Sequence, residues 1–202
     1  MRALLLAMLL AAMGGCGKTE PAPEPAPAPE TKFLATDISG VPWGRDFSLT
    51  DHTGKQRRLA DFRGKLVALF FGYTHCPDVC PTTLSDFAMA IRSLGEDGKR
   101  VQVLFVTVDP ERDSQELLAK YVPAFNPAFL GMRTDPASLA ELAREFKVVY
   151  QKNSVQGSGN YLIDHTAGTY VFDTHGRLRL LIAYGTGPAE IAQDLRTLLA
   201  EK

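Results

Sequence analysis

Cys76 and Cys80 stand four positions apart in the segment Tyr73-Thr74-His75-Cys76-Pro77-Asp78-Val79-Cys80-Pro81. Pro81 suits the first position of a helix, where its missing N–H costs nothing. Cys80 then lies at or next to a helix N-terminus, where the macrodipole and free N–H groups favour a thiolate. On one helical turn this spacing leaves the Cβ atoms roughly 5 to 6 Å apart. A disulfide needs them nearer about 3.8 Å, so a small loop adjustment reaches it. Two states follow: a Cys76–Cys80 bridge, and a dithiolate fork open to a soft metal. A purely structural bridge is poorly motivated, because so short a loop removes little entropy from the unfolded chain. The pair therefore points to redox or metal chemistry.

Stepping out from the pair, Lys65 to Gly72 is a continuous apolar run ending in glycine. A run without alternation predicts a central strand covered on both faces. Leu84, Phe87, Ala88, Ile91 and Leu94 follow at helical spacing, with Gly95 as a stop. Val101 to Val108 predicts a second covered strand, and residues 116–122 and 137–146 carry helical periodicity. Upstream, Phe47 to Thr50 and Lys55 to Leu59 flank a polar turn and predict a hairpin. A second hairpin is expected from Thr169 to Phe172 and Leu178 to Ala183, then a terminal helix opening at Pro188. The order βαβ, helical connection, ββα implies two parallel strands and an antiparallel pair. This is the connectivity of a thioredoxin-like α/β fold with an N-terminal β-hairpin and an insertion before the final ββα. No internal repeat is visible from about residue 40 onward.

Disulfide oxidoreductases of that fold usually carry two residues between their cysteines, where this chain has three. They also place a proline opposite the pair. The corresponding loop here, Gly157 to Gly168, has no proline and contains His165 instead. Two thiolates and an imidazole suit copper: thiolate selects Cu(I), and imidazole also tolerates Cu(II). Zinc would want a fourth ligand to close a structural site. His52 and His175 fall in hairpin turns and are expected in solvent. His75 adjoins Cys76, and neighbours in extended chain face apart. His165 is thus either the third ligand or a loop histidine bonded to backbone. Asp78 either caps the following helix, the favoured reading, or tunes the thiolates as a weak outer ligand. Asp164 is a candidate to orient His165. Asp109-Pro110 is expected to turn the chain at the carboxyl edge of the sheet, where sites gather.

The ends place the domain. Arg2, eleven apolar residues from Ala3 to Met13, and Gly14-Gly15-Cys16 form the pattern of a cleaved secretory signal. Eleven residues are too few to span a bilayer, which takes about 20. Cys16 after two glycines is similar to the bacterial lipoprotein box, with Met13 where leucine is usual. Five prolines alternate with Ala and Glu between Glu20 and Glu30, which reads as polyproline II. At about 3.1 Å per residue this stalk extends roughly 30 to 40 Å. The expected organisation is a signal peptide over 1–15, an anchor and linker over 16–40, and the folded domain over 41–200. The protein would then be extracytoplasmic and held to a membrane by lipid. Its 202 residues suit one ordinary domain, 45% hydrophobic content excludes wholesale disorder, and three cysteines are too few for a disulfide scaffold. A formal charge of -1 argues against a nucleic-acid partner.

Three separated blocks, Phe71 to Pro81, Val108 to Asp113 and Tyr161 to Thr166, resemble the Sco/SenC family in the same order. With the Phe47 hairpin the likeness covers about Val41 to Leu199. It implies a thioredoxin-like fold and a site for Cu(I) or Cu(II) made by Cys76, Cys80 and His165. It also implies a carrier rather than a turnover enzyme, serving the CuA site of cytochrome c oxidase subunit II, with a further periplasmic copper carrier as a second partner. A role in thiol–disulfide exchange on that site's cysteines is implied as well. A rival reading is a membrane-tethered thiol–disulfide reductase that needs the cysteines alone. A peroxiredoxin reading fails, since Tyr73 stands three residues before Cys76 where that family has threonine.

Overall fold

Seven consecutive residues are buried in each of two neighbouring strands, β4 (Leu66–Gly72) and β5 (Val101–Thr107), which form the middle of the sheet. The computed structural model describes residues 32–155 and 160–201. The signal-like stretch, Cys16 and the proline-rich segment lie outside those residues. β4 and β5 pair in parallel from Leu66↔Val101 to Gly72↔Thr107. α1 (Val79–Ser93) makes the crossover between them, and its buried residues include Leu84, Phe87, Ala88 and Ile91. Leu94 caps it, and Gly95 at φ 60° turns the chain out of the helix.

The remaining strands are β1 (Thr36–Asp37), β2 (Ser48–Asp51), β3 (Gln56–Arg58), β6 (Leu130–Arg133), β7 (Tyr150–Ser154), β8 (Tyr161–His165), β9 (Thr169–Phe172) and β10 (Leu178–Ile182). Eight of the ten strands among the described residues make one sheet in the order β1-β10-β9-β4-β5-β6-β2-β3, while β7 and β8 form a separate ribbon. α2 (Gln115–Tyr121) and α3 (Pro136–Glu145) flank β6, and α4 (Pro188–Leu199) closes the chain against α1. The mixed α/β arrangement carries the expected hairpins, crossover and terminal helix.

Three expectations are corrected. The insertion is not only helical: β6 joins β5 as a third parallel strand, Leu104↔Leu130 to Val106↔Met132. Its four residues, Leu-Gly-Met-Arg, are too few and too mixed to show a period. The segment read as a loop around His165 is mostly strand β8, where only Ile163 is buried. Its pairing partner β7 is polar, so neither strand announces itself. The folded unit also reaches back past residue 41. Phe33 is buried, β1 pairs with β10, and the buried Asp194 carboxylate accepts from the N–H groups of Leu34 and Ala35 at 2.8 Å each.

The core is aromatic. Phe146 meets Phe71, Tyr170 and Phe172 with ring centroids 5.4 to 6.1 Å apart. Each such buried ring contributes roughly 1.5 to 3 kcal/mol by leaving water. This stiff centre ends at Gly72 and Thr107, so the segments after β4 and β5 start from fixed positions at one edge.

The β2–β3 hairpin carries an acid-sensitive contact away from that edge. Burial would raise the Asp51 carboxyl, but hydrogen bonds from Thr53 Oγ1, Arg57 Nε and the amides of Lys55 and Thr53 prevail and hold it at about 2. A depressed carboxyl stabilises the fold above its unfolded pKa, and that contribution is lost as pH falls through the folded value. Urea midpoints of Asp51→Asn and the parent should therefore differ most at pH 6 and converge as pH falls from about 4 to about 2. A gap that persists unchanged at pH 2 would show that the charge is not the stabilising element.

Candidate metal centre

Cys76 sits half-buried in the segment that follows β4, Cys80 is the second residue of α1 and fully buried, and half-buried His165 ends β8. One donor atom from each, two Sγ and an imidazole nitrogen, lie within 4.8 Å of one another. Both cysteines are free thiols. His165 Nε2 is 3.6 Å from Cys80 Sγ, across 85 residues of sequence. His52, His75 and His175 are outside the cluster.

Ring orientation follows from one contact. His165 Nδ1 lies 3.0 Å from the Thr166 carbonyl oxygen. A carbonyl only accepts, so Nδ1 carries the proton and Nε2 presents its lone pair to the sulfurs. Edge contacts with Phe70 and Tyr73, centroids 6.1 and 5.9 Å away, brace the ring. Gly72 makes room beneath: a Cβ there would come within 2.9 Å of Cys80 Sγ and 2.7 Å of Phe105.

The helix start acts on the other sulfur from the one expected. The Cys80 amide, in the first turn of α1, points at Cys76 Sγ at 3.4 Å. The Cys76 thiol is accordingly held well below the usual range, chiefly by the Cys80 thiol, against its own burial, with His165 and the Cys80 amide adding to it. The Cys80 thiol is pushed up by the same partnership and by burial. With the Cys80 amide aimed at its sulfur and more access to solvent, Cys76 is the better place for the first negative charge than Cys80, where the sequence put it. Pro81 is the third residue of α1 rather than the first. N–H groups of the first turn lack helical partners anyway, so proline is tolerated there too.

Two acids differ from their expected roles. Asp78 occupies the cap position of α1, yet its carboxylate accepts no backbone N–H from the first turn. It takes the Thr82 hydroxyl at 3.3 Å. Asp164 does not orient His165: its exposed carboxylate accepts from Asn153 Nδ2 at 2.6 Å, because it lies on the opposite face of β8 from its neighbour. His52, expected in solvent, accepts from the Gly131 amide at 3.0 Å and ties the first hairpin to β6.

The supports that sequence reasoning missed come from the segment after β5. Asp113 is fully buried and accepts from the Thr74 amide at 3.0 Å and from the hydroxyls of Thr74 and Thr107 at 2.6 Å each. It moors the cysteine segment to the end of β5. The Tyr73 hydroxyl accepts from the Ile163 amide at 3.1 Å, linking the same segment to β8. The clue was an acid-rich stretch, Asp109 to Asp113, directly after a covered strand.

A family model described as SCO1/SenC matches residues 36–200, which is most of the chain. The chain belongs to the SCO1/SenC family. It is 34% identical over 201 residues to "Protein SCO2 homolog, mitochondrial" of Bos taurus, covering 98% of this chain and 75% of the relative. The mouse protein of that name is 36% identical over 157 residues, covering 77% of this chain and 62% of the relative. Among solved structures, apo Sco1 of Thermus thermophilus has 43% identity and a TM-score of 0.73, covering 85% of this chain and all of that one. Copper-bound ScoI of Bradyrhizobium japonicum has 38% identity and a TM-score of 0.70, covering 76% and 98%. The thioredoxin-like Sco fold expected from the sequence is the fold observed. No helix among the described residues of this SCO1/SenC chain is long and apolar enough to cross a membrane.

Proposed function

We propose that this protein carries one copper ion on Cys76 Sγ, Cys80 Sγ and His165 Nε2 and delivers it to the CuA site of cytochrome c oxidase subunit II. The observation that carries this reading is the convergence of the three donors within 4.8 Å, two from the segment after β4 and one from the β7–β8 ribbon. Cys76 and His165 border a cleft of about 280 Å³ that also touches Tyr73, Pro77 and Leu162, and Cys80 lies buried behind them. Two thiolates select Cu(I), and the imidazole extends the set to Cu(II). The copper-bound Bradyrhizobium ScoI supports the same cargo here. Formation of the Cys76–Cys80 disulfide, with its two electrons passing to a client disulfide that is reduced to two thiols, would withdraw both sulfurs together and couple release to redox state. A lipid on Cys16 and the proline-rich stalk would hold the domain outside the cytoplasm, close to a membrane-bound client. A second periplasmic copper carrier would serve as donor.

Anaerobic titration of the reduced chain with Cu(I), followed by X-ray absorption, tests the ligand set. The expected result is one copper per chain with two sulfur neighbours and one nitrogen. A sulfur-only shell or substoichiometric binding would overturn it.

The unequal exposure of the cysteines favours a second activity. Half-buried Cys76 can attack a client disulfide, forming a mixed disulfide and expelling one client thiolate. Buried Cys80 then attacks Cys76 Sγ, expels the second client thiolate and leaves a Cys76–Cys80 bridge, so two electrons pass to the client. Full oxidase maturation by His165→Ala, with loss in each cysteine variant, would make this the governing activity.

A further inference from the structure

His165 owes its place to a ribbon that has no ladder to the main sheet: β7 and β8 pair only with each other among the described residues. A lone two-stranded ribbon is marginal, so side chains must set its angle to the body. They converge on Tyr161, the first residue of β8. The Tyr161 hydroxyl donates to Asp109 Oδ1 at 2.8 Å, and Asp109 is fully buried. Arg112 Nε donates to the other oxygen of the same carboxylate. Arg112 Nη1 donates to the Tyr161 carbonyl oxygen at 3.0 Å, and its guanidinium lies 3.5 Å from the Tyr161 ring centroid. On β7, Lys152 pairs with Glu111 at 2.7 Å and lies 5.0 Å from the same ring.

We propose that Arg112 is a positioning residue for the metal centre: it clamps Tyr161 onto Asp109, so that the far end of β8 brings His165 Nε2 to the two sulfurs. This rests on the copper reading above. The clamp requires arginine. A planar fork that bonds a carboxylate and a carbonyl while stacking on a ring cannot be matched by an ammonium. The Tyr73–Ile163 hydrogen bond is the ribbon's tie to the cysteine segment, and without the clamp it opens more often.

The experiment compares the parent, Arg112→Leu, Arg112→Lys and Tyr161→Phe in the full chain. Copper(II) paramagnetic resonance reads the imidazole through its nitrogen coupling, and amide hydrogen exchange reads the metal-free ribbon. Both Arg112 variants should keep one copper on the cysteines, weaken the nitrogen coupling and lose about 10- to 100-fold in copper(II) affinity, as for other residues that orient ligands. Tyr161→Phe keeps the stacking and the carbonyl bond and should lose less. Exchange at Ile163 and His165 should quicken while β4 and β5 hold. Parental nitrogen coupling in both Arg112 variants, or exchange rising equally in β4 and β5, would overturn the proposal. Absence of nitrogen coupling in the parent would instead overturn the ligand assignment, and the exchange measurement would still decide whether the clamp holds β8. If Arg112→Leu does not fold, Arg112→Lys and Tyr161→Phe carry the comparison.

Discussion

Serine in place of Cys80 leaves the chain folded and strips it of copper(I). Cys80 is fully buried against Gly72, and the smaller oxygen fits where sulfur was. The new hydroxyl has an acceptor at hand, since His165 Nε2 faces that position. A neutral hydroxyl is nevertheless a hard, weak donor for a soft ion. Losing a direct ligand should exceed the roughly 10- to 100-fold typical of residues that only orient ligands. Competition against a chromophoric Cu(I) chelator measures the affinity, and thermal unfolding of the metal-free chain checks the fold. Parental affinity in Cys80→Ser would remove Cys80 from the ligand set. Cys76→Ser should fail in the same way, with less effect on stability, because Cys76 is only half-buried.

Asp113→Ala should unfold the chain more readily than any change at an exposed residue. Its carboxylate satisfies three donors in a site without solvent access: the Thr74 amide and the hydroxyls of Thr74 and Thr107. Each buried donor left without a partner costs about 1 to 3 kcal/mol, so the expected loss is about 3 kcal/mol or more. Urea unfolding at constant m-value measures it. Thr74 lies two residues before Cys76, so the freed segment should also weaken copper binding at temperatures where the variant is folded. Asp113→Asn keeps one acceptor and should fall between variant and parent. A loss below about 1 kcal/mol in Asp113→Ala would mean that water replaces the carboxylate and that the mooring is dispensable.

Local pattern was enough for the parts of this molecule whose residues commit to one environment. The covered runs of β4 and β5, the apolar face of α1 and the proline-led α4 all appear in the sequence at nearly their observed limits. Sequence position singled out His165 among four histidines as the one opposite the cysteines but left its role open, and the structure sets its Nε2 3.6 Å from Cys80 Sγ. β6 and the β7–β8 ribbon were not legible. Their strands are short or largely polar and are strands only because of what they pair with.

The sequence alone thus established the donor types, the covered strands and the helix that carries Cys80. Tertiary structure decided that His165 Nε2 meets the Cys80 sulfur, what moors the cysteine segment, and which side chains hold the ribbon in place. Residue type and spacing act within a turn or a strand, and the sequence carries them openly. The Asp113 mooring and the Arg112–Tyr161 clamp depend instead on distances of a few ångströms between residues 39 and 49 positions apart. Only chain folding sets those distances.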